Sequence, residues 1–129
     1  MNYLFTTEIA VRDYECDIQG IVNNANYQHY TEHTRHLFLT SRHLSFADLH
    51  AQGIDIVVAR MDMRFKKPLH PDDIIVSRMN CERKGIKYVF THHLYRKSDM
   101  RLCHTSVVDC VCVIDGKLTT SDIIDSIMI

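Results

Sequence analysis

Asp17 and Asn24 stand seven residues apart with Gly20 between them, and together they are equipped for chemistry on a carbonyl group. The stretch Asp17-Ile-Gln-Gly20 carries Asp and Gly at the first and fourth positions, where a type I turn favours them. Asn23-Asn24 stand where a helix begins, because Asn is a favoured N-cap. Peptide N–H groups in the first helical turn have no intrahelical acceptor and sit at the positive end of the helix dipole. They can polarise a carbonyl and stabilise the oxyanion that develops on it. A carboxylate that reaches the same carbonyl through the turn can attack it directly, or can deprotonate a water that attacks. The residues leave both routes open. Each residue also has a plainer role, Asp17 as a turn-former and Asn24 as an N-cap, and a side chain that caps its own helix is not free to orient water.

A second constellation competes with the first. His29-Tyr-Thr-Glu32-His33 matches the His-x-x-Glu-His pattern of a zinc protease class, with two imidazoles at i, i+4 on one helical face. The same helix needs an apolar stripe to be buried, and His36 and His43 extend the series. Solvent-facing or interface histidines are therefore the simpler account, and no metal site is expected. Glu32 and Arg35, three residues apart, read as an ordinary ion pair on the helix surface. The five cysteines are odd in number and include no CxxC, which points to reduced thiols, with Cys110 and Cys112 on one strand face as small hydrophobes.

These residues need elements to hold them. Leu4 to Asp13 alternates as a strand, with Thr7, Ile9 and Val11 on one side. A helix is expected from about Asn23–Ala25 to about Arg42, on the spacing of Tyr27, Tyr30, Thr34, Leu37, Phe38, Ser41 and Leu44. Ser45-Phe-Ala-Asp48 signals a short second helix that Gly53 stops. Ile54 to Phe65 then alternates as a strand with Val57, Ala59, Met61, Met63 and Phe65 on one face, and Pro68 and Pro71 follow it. Three more strands are expected over Asp73–Glu82, Ile86–Lys97 and Cys103–Asp115, and one or two helical turns over Ser121–Ile129. This order is α+β with an antiparallel sheet of five strands. One long helix cannot cover both faces of such a sheet. A sheet curved around the helix solves that, with its open edge hidden by a second copy.

Composition sets the limits. With 129 residues, 46% of them hydrophobic, a net charge of −1 and only four Gly and two Pro, the chain suits one compact domain, not a disordered or fibrous one. No apolar run reaches the length of a membrane helix, and the first residues lack a basic segment followed by an apolar one, so a cytoplasmic protein is expected. Charge is unevenly spread. Residues 60–101 hold eleven Lys/Arg against five acids, whereas the rest holds four against eleven. Such a segment suits a phosphorylated small molecule or a solvated sheet face. A nucleic-acid partner is not expected, since no reader motif is present and there is no Trp.

The stretch from Val11 to Tyr27, followed by Tyr30, Glu32 and Arg35, resembles the signature of hotdog-fold acyl-CoA thioesterases of the 4-hydroxybenzoyl-CoA thioesterase and YbgC-like group. Asp17, Gly20, Ile21, Val22, Ala25, Asn26 and Tyr27 fit its Asp-x-x-Gly-centred pattern, and Arg60 to Asp73 is similar to the family's second strand and Pro turn. Asn23-Asn24 depart from the aromatic and His/Tyr pair of that group and look more like the Val-Asn-Asn of other hotdog thioesterases, including plant acyl-carrier-protein enzymes. The resemblance implies a curved five-stranded sheet around one central helix, Asp17 as catalytic carboxylate and the Asn24 N–H as oxyanion donor. It also implies a substrate site along Gly20, Ile21, Val22, Asn23, Asn26 and Tyr27, coenzyme A phosphates on Arg83 and Lys84, and no separate cofactor. Acyl-CoA would be the partner molecule of a homodimer that can pair again as a dimer of dimers. An acyl-carrier-protein substrate, or a hotdog protein that binds acyl-CoA without cleaving it, are the alternatives.

Overall fold

The computed structural model describes residues 2–128; Met1 and Ile129, the last residue of the expected tail helix, lie outside the described residues. The elements are β1 (Phe5–Ala10), a 3-10 turn (Asp13–Glu15), α1 (Asn24–Ser41), α2 (Phe46–Ala51), β2 (Ile54–Phe65), β3 (Ile74–Lys84), β4 (Lys87–Arg96), β5 (Arg101–Ile114), β6 (Lys117–Thr119) and α3 (Asp122–Ile127). All pairings are antiparallel in the order β1-β3-β4-β5-β2, and β6 pairs with the end of β5. The five expected strands form the main path. The sixth is new: three residues show no readable period, but the Asp115-Gly116 turn, with both φ angles positive, folds them back beside Cys112–Ile114.

Helix ends follow the local chemistry. Asn23 keeps an extended backbone and its Oδ1 accepts from Ala25 N–H at 3.0 Å, so Asn23 is the N-cap and Asn24 the first helical residue. Ser45 accepts from Asp48 N–H at 3.0 Å to start α2. At the other end of the chain, Tyr88 Oη donates to Asp125 at 2.8 Å and accepts from Ser121 N–H at 2.9 Å, which docks α3 on the sheet.

α1 buries Tyr27, Tyr30, Thr31, Thr34, Arg35, Phe38 and Leu39 against the concave face of the sheet. Leu37 and Leu44, expected on that stripe, are only half-buried, and Thr31, Arg35 and Leu39 complete it instead. The apolar core is split in two. One cluster gathers Phe38, Leu49, Met79, Tyr88, Val108 and neighbours, and the other gathers Ile9, Val22, Tyr27, Tyr30, Leu69 and Leu94. Between them lies a buried polar seam, in which Thr34 and Ser77 hydroxyls meet at 2.7 Å, Arg35 donates to His92 at 3.1 Å, and His104 meets Ser106 at 3.2 Å.

β2 corrects the sequence expectation in one respect. The strand was expected to keep Val57, Ala59, Met61, Met63 and Phe65 on one face. Its register against β5 slips between Val58 and Arg60, leaving Ala59 as an extra residue. The bulge reverses the alternation: Ile54 and Ile56 face inward before it, Met61 and Met63 after it, and Val57 is exposed.

Phe38 is the largest α1 side chain in the first cluster, 1% exposed and edge-on to Phe5 at 6.0 Å. Phe38→Ala should cost about 3–5 kcal/mol by cavity formation. Denaturant titration should show that loss, while Leu118→Ala, at an exposed site, should stay within about 0.5 kcal/mol.

Candidate active site

The loop before α1 is a miniature hairpin closed by a bridge between Cys16 and Val22. Asp17 N–H donates to the Ile21 carbonyl at 2.9 Å, and Gly20 N–H donates to the Asp17 carbonyl at 2.9 Å. Gly20 takes φ = 78°, a conformation that side chains disfavour, and thereby lets the chain reverse. One Asp17 carboxylate oxygen accepts from Gln19 N–H at 3.0 Å, and among the described residues no cation lies within salt-bridge distance of it.

Glu15 fixes this loop to the helix. Its buried carboxylate accepts from Arg12 N–H at 2.7 Å, Arg12 Nη1 at 3.2 Å and Tyr30 Oη at 3.0 Å. Its backbone carbonyl accepts from Asn23 N–H at 3.0 Å and Asn26 Nδ2 at 2.7 Å. Burial, reinforced by that hydrogen bond, pushes the Tyr30 hydroxyl far up, so it stays a neutral donor. Burial likewise pushes Tyr27 up to about 12.

The first-turn donors are then accounted for one by one. Asn23 N–H goes to Glu15, Ala25 N–H to the Asn23 side chain and Asn26 N–H to the Asn23 carbonyl. Asn24 N–H is left without an acceptor among the described residues, and the Asn24 side chain is exposed and unbonded. Since Asn23 does the capping, the competition between capping and catalysis expected at Asn24 does not arise. Of the other residues singled out from sequence, Ile21 is half-buried with its carbonyl closing the loop, and Val22 and Tyr27 are buried in the second cluster. The Tyr27 ring stacks on His104 at 4.7 Å and meets Phe65 edge-on at 5.1 Å.

Arg83 and Lys84 sit at the other end of the molecule. They precede the β3–β4 turn, nine and ten residues along β3 from Ile74, a span of about 30–33 Å at the rise of an extended strand. Asp73, at the near end, lies near the Asp17 loop, where Val11 N–H donates to its carbonyl. The single chain therefore does not bring Arg83 and Lys84 to Asp17. Each also faces a carboxylate: Arg83 meets Asp125 at 3.5 Å and Lys84 meets Glu82 at 4.0 Å, both exposed.

A cleft of about 470 Å³ opens between α1, α2 and β2, one helical turn beyond Asn24. Gln28 and Glu32 line its helix wall, Phe46 and Met61 its apolar sides, and Phe90 and Arg35 its floor. The Glu32–Arg35 ion pair expected from sequence is not formed: Glu32 lies 3.8 Å from His36, and Arg35 turns inward to His92. Position alone suggested a surface pair, whereas packing placed Arg35 on the buried face. His29, Glu32 and His33 lie on the exposed side of α1, and among the described residues no three metal-ligating side chains converge.

Glu15, His92 and His104 were not singled out from sequence. Arg12 and Glu15 at i, i+3 offered a signal for the first, but the histidines show none, because only the sheet register brings them under α1. Arg35 can only donate, so His92 Nε2 accepts and the ring proton sits on Nδ1. Nδ1 of both histidines is buried without a partner among the described residues.

The sequence pattern of the Thioesterase superfamily matches residues 19–104, opening two residues after Asp17. The chain belongs to that superfamily and is a thioester hydrolase of the hotdog fold. It is 31% identical over 111 residues, 85% of each chain, to an Aquifex aeolicus protein with a provisional esterase name. It is also 31% identical over 97 residues to a chloroplastic acyl-acyl carrier protein thioesterase of Arabidopsis thaliana, covering 75% of this chain and 51% of that one. In fold it matches the 1,4-dihydroxy-2-naphthoyl-CoA thioesterase of Synechocystis, with a TM-score of 0.90 and 16% identity over 96% of this chain and 94% of that one. Among the described residues no helix is long and apolar enough to cross a membrane.

Burial lowers His104 from the usual 6.5 to about 4, and burial together with the Arg35 charge lowers His92 in the same direction. Between those limits the unfolded imidazole holds a proton that the folded one refuses, so acidification favours unfolding. For His104 the stability lost between pH 6.5 and about 4 should be roughly 3 kcal/mol. Denaturant midpoints measured across that interval should fall, and His104→Phe should flatten the profile. The assignment fails if His104→Phe leaves the slope unchanged.

Proposed function

We propose that the protein hydrolyses an acyl-CoA thioester to a carboxylic acid and coenzyme A. The observation that carries this reading is the unpaired Asn24 N–H at the positive end of α1, in a helix start that Glu15 ties to the Asp17 loop. The thioester carbonyl would accept from Asn24 N–H, which stabilises negative charge as the carbonyl carbon becomes tetrahedral. Asp17 would either remove a proton from the attacking water or bond to the carbon and form an anhydride that water then opens. In both routes the C–S bond breaks, the sulfur leaves as thiolate and takes up a proton, and water supplies the oxygen of the new acid. A carboxylate, a helix end and water suffice, so no cofactor is needed.

Coenzyme A phosphates would lie on Arg83 and Lys84, and this needs a second copy. β2 is an edge strand with Val57 and Val58 exposed at 49% and 44%. Antiparallel pairing of two β2 strands about their middles would set the Ile54 end of one against the Phe65 end of the other. The β3–β4 turn of each protomer would then swing toward the other's helix entrance. We therefore propose a functional homodimer, able to pair again, working on a small-molecule thioester in the cytoplasm. One observation favours a second reading, an acyl-carrier-protein thioester: the 31% identity to the Arabidopsis protein, together with Val22-Asn23-Asn24. Rates on one acyl group carried by coenzyme A and by carrier protein separate the two.

Asp17→Asn should lower kcat on a responsive acyl-CoA by at least about 10²-fold while the far-ultraviolet spectrum stays unchanged. Undiminished turnover would remove Asp17 from the mechanism, and binding without turnover in the parent protein would mark a non-catalytic acyl-CoA carrier. The backbone role of Asn24 has its own test. Proline is tolerated at a first helical position, and Asn23 already has the extended backbone that a following proline requires. Asn24→Pro, which deletes the N–H, should lose about 10²–10³-fold in kcat, whereas Asn24→Ala should stay within a few-fold. Equal losses in both would assign the effect to the side chain.

A further inference from the structure

We propose that the cleft beside α1 selects acyl groups whose far end carries an oxygen anion, a carboxylate first of all, and that Arg35 is the group that receives it. This rests on the acyl-CoA reading above and names the class of acyl group.

Arg35 is 5% exposed, yet it lines the cleft. A guanidinium carries five N–H donors. Among the described residues its one hydrogen-bond acceptor is His92 Nε2 at 3.1 Å, a neutral atom, and no carboxylate lies within salt-bridge distance. The Phe90 ring, 5.9 Å from the guanidinium carbon, supports the cation on another side. Charges are seldom buried without a counter-charge, because the lost hydration is not replaced. Here the seam fixes the guanidinium through His92 and leaves donors of its planar fork for something that enters the cleft. A carboxylate matches that fork with two parallel hydrogen bonds.

The neighbouring charges agree. Arg60, at the β2 bulge, also lines the cleft and has no carboxylate within salt-bridge distance among the described residues. Glu32, the acid on the same wall, is half exposed at the mouth and faces His36. Cys110, the remaining titratable group on the floor, is held protonated because burial pushes its thiol up to about 11.

The placement also sets a length. Asn24, Gln28, Glu32 and Arg35 recur at i, i+4, i+8 and i+11 and so share one side of α1. The Cα atoms of Asn24 and Arg35 are about 16 Å apart along the axis. Long helical side chains lean back toward the N-terminus, so the reach from thioester to guanidinium is on the order of 10 Å, or roughly eight bonds at about 1.2 Å each. The apolar walls, Phe46, Ile56 and Met61, suit the methylenes between.

The test uses non-hydrolysable coenzyme A thioethers with chains of roughly six to twelve carbons, a range bracketing that reach. Each length is made with a methyl end, a carboxylate end and a phenol end. Calorimetric binding to the intact protein should favour the carboxylate over the methyl end at least tenfold at one best length, and Arg35→Met should erase that preference. Equal binding of both ends by the parent protein, or a preference that survives Arg35→Met, overturns the proposal, as does a phenol end that binds best. Should Arg35→Met not fold, Arg35→Lys, which keeps the charge and loses the fork, must reduce the preference several-fold; an undiminished preference there overturns it too. Hydrolysis is measured separately on the matching thioesters, so loss of the catalytic reading appears as binding without turnover, and loss of this inference as binding without end-group preference.

Discussion

The buried carboxylate of Glu15 holds the site together. It draws Arg12, Tyr30 and, through its own backbone carbonyl, Asn23 and Asn26 to one point. A loop that runs from Cys16 to Val22 with its own internal bonds would otherwise pivot about its ends. Because Glu15 precedes the loop and Tyr30 follows the helix start, their hydrogen bond spans the loop and fixes where Asp17 stands relative to the first-turn donors. The burial of Glu15 is tolerable because each carboxylate oxygen is satisfied, one of them by a cation. The position of Asp17 and of the free helix N–H thus depends on a residue outside the loop that carries them.

The polar seam under α1 has a related effect on the whole domain. Two apolar clusters separated by hydroxyls, imidazoles and a guanidinium cannot slide past one another without breaking hydrogen bonds that have no replacement nearby. A helix packed only by apolar contacts could rotate or shift by a fraction of a turn at little cost. Thr34 against Ser77 and Arg35 against His92 remove that freedom, so the helix entrance and the cleft keep a constant relation. The two unpartnered Nδ1 atoms are the cost of this arrangement.

Much of this was legible in the sequence, because the signals were local. The helix start at Asn23-Asn24, the turn at Gly20, the box at Ser45 and the period change at Ile54 are set by residues within a few positions, and the structure agrees with the elements they imply, though it is Asn23 and not Asn24 that caps. Val57 was misplaced because a bulge is a relation between two strands: nothing in β2 alone says that Ala59 has no partner on β5. Arg35 was read as a surface cation because its type favours exposure, whereas its burial depends on His92, fifty-seven residues away. The β3–β4 turn carries the expected basic residues, but its distance from Asp17 is set by sheet order, which the chain does not spell out locally.

The bulge at Ala59 lets an exposed strand carry one residue more than its partner without losing its inward set. Were Ala59 paired as an ordinary strand residue, every side chain beyond it would turn through to the opposite face. Met61 and Met63 would leave the two clusters, and Phe65 would abandon the ring contacts it makes with Tyr27 and His104 just behind the helix entrance. Ala59 is therefore the one place in β2 where a residue can be lost at little cost, since Arg60 then still faces Asp109 and Met61 still faces Val108, whereas a residue lost or gained between Met61 and Phe65 would turn the inward set over.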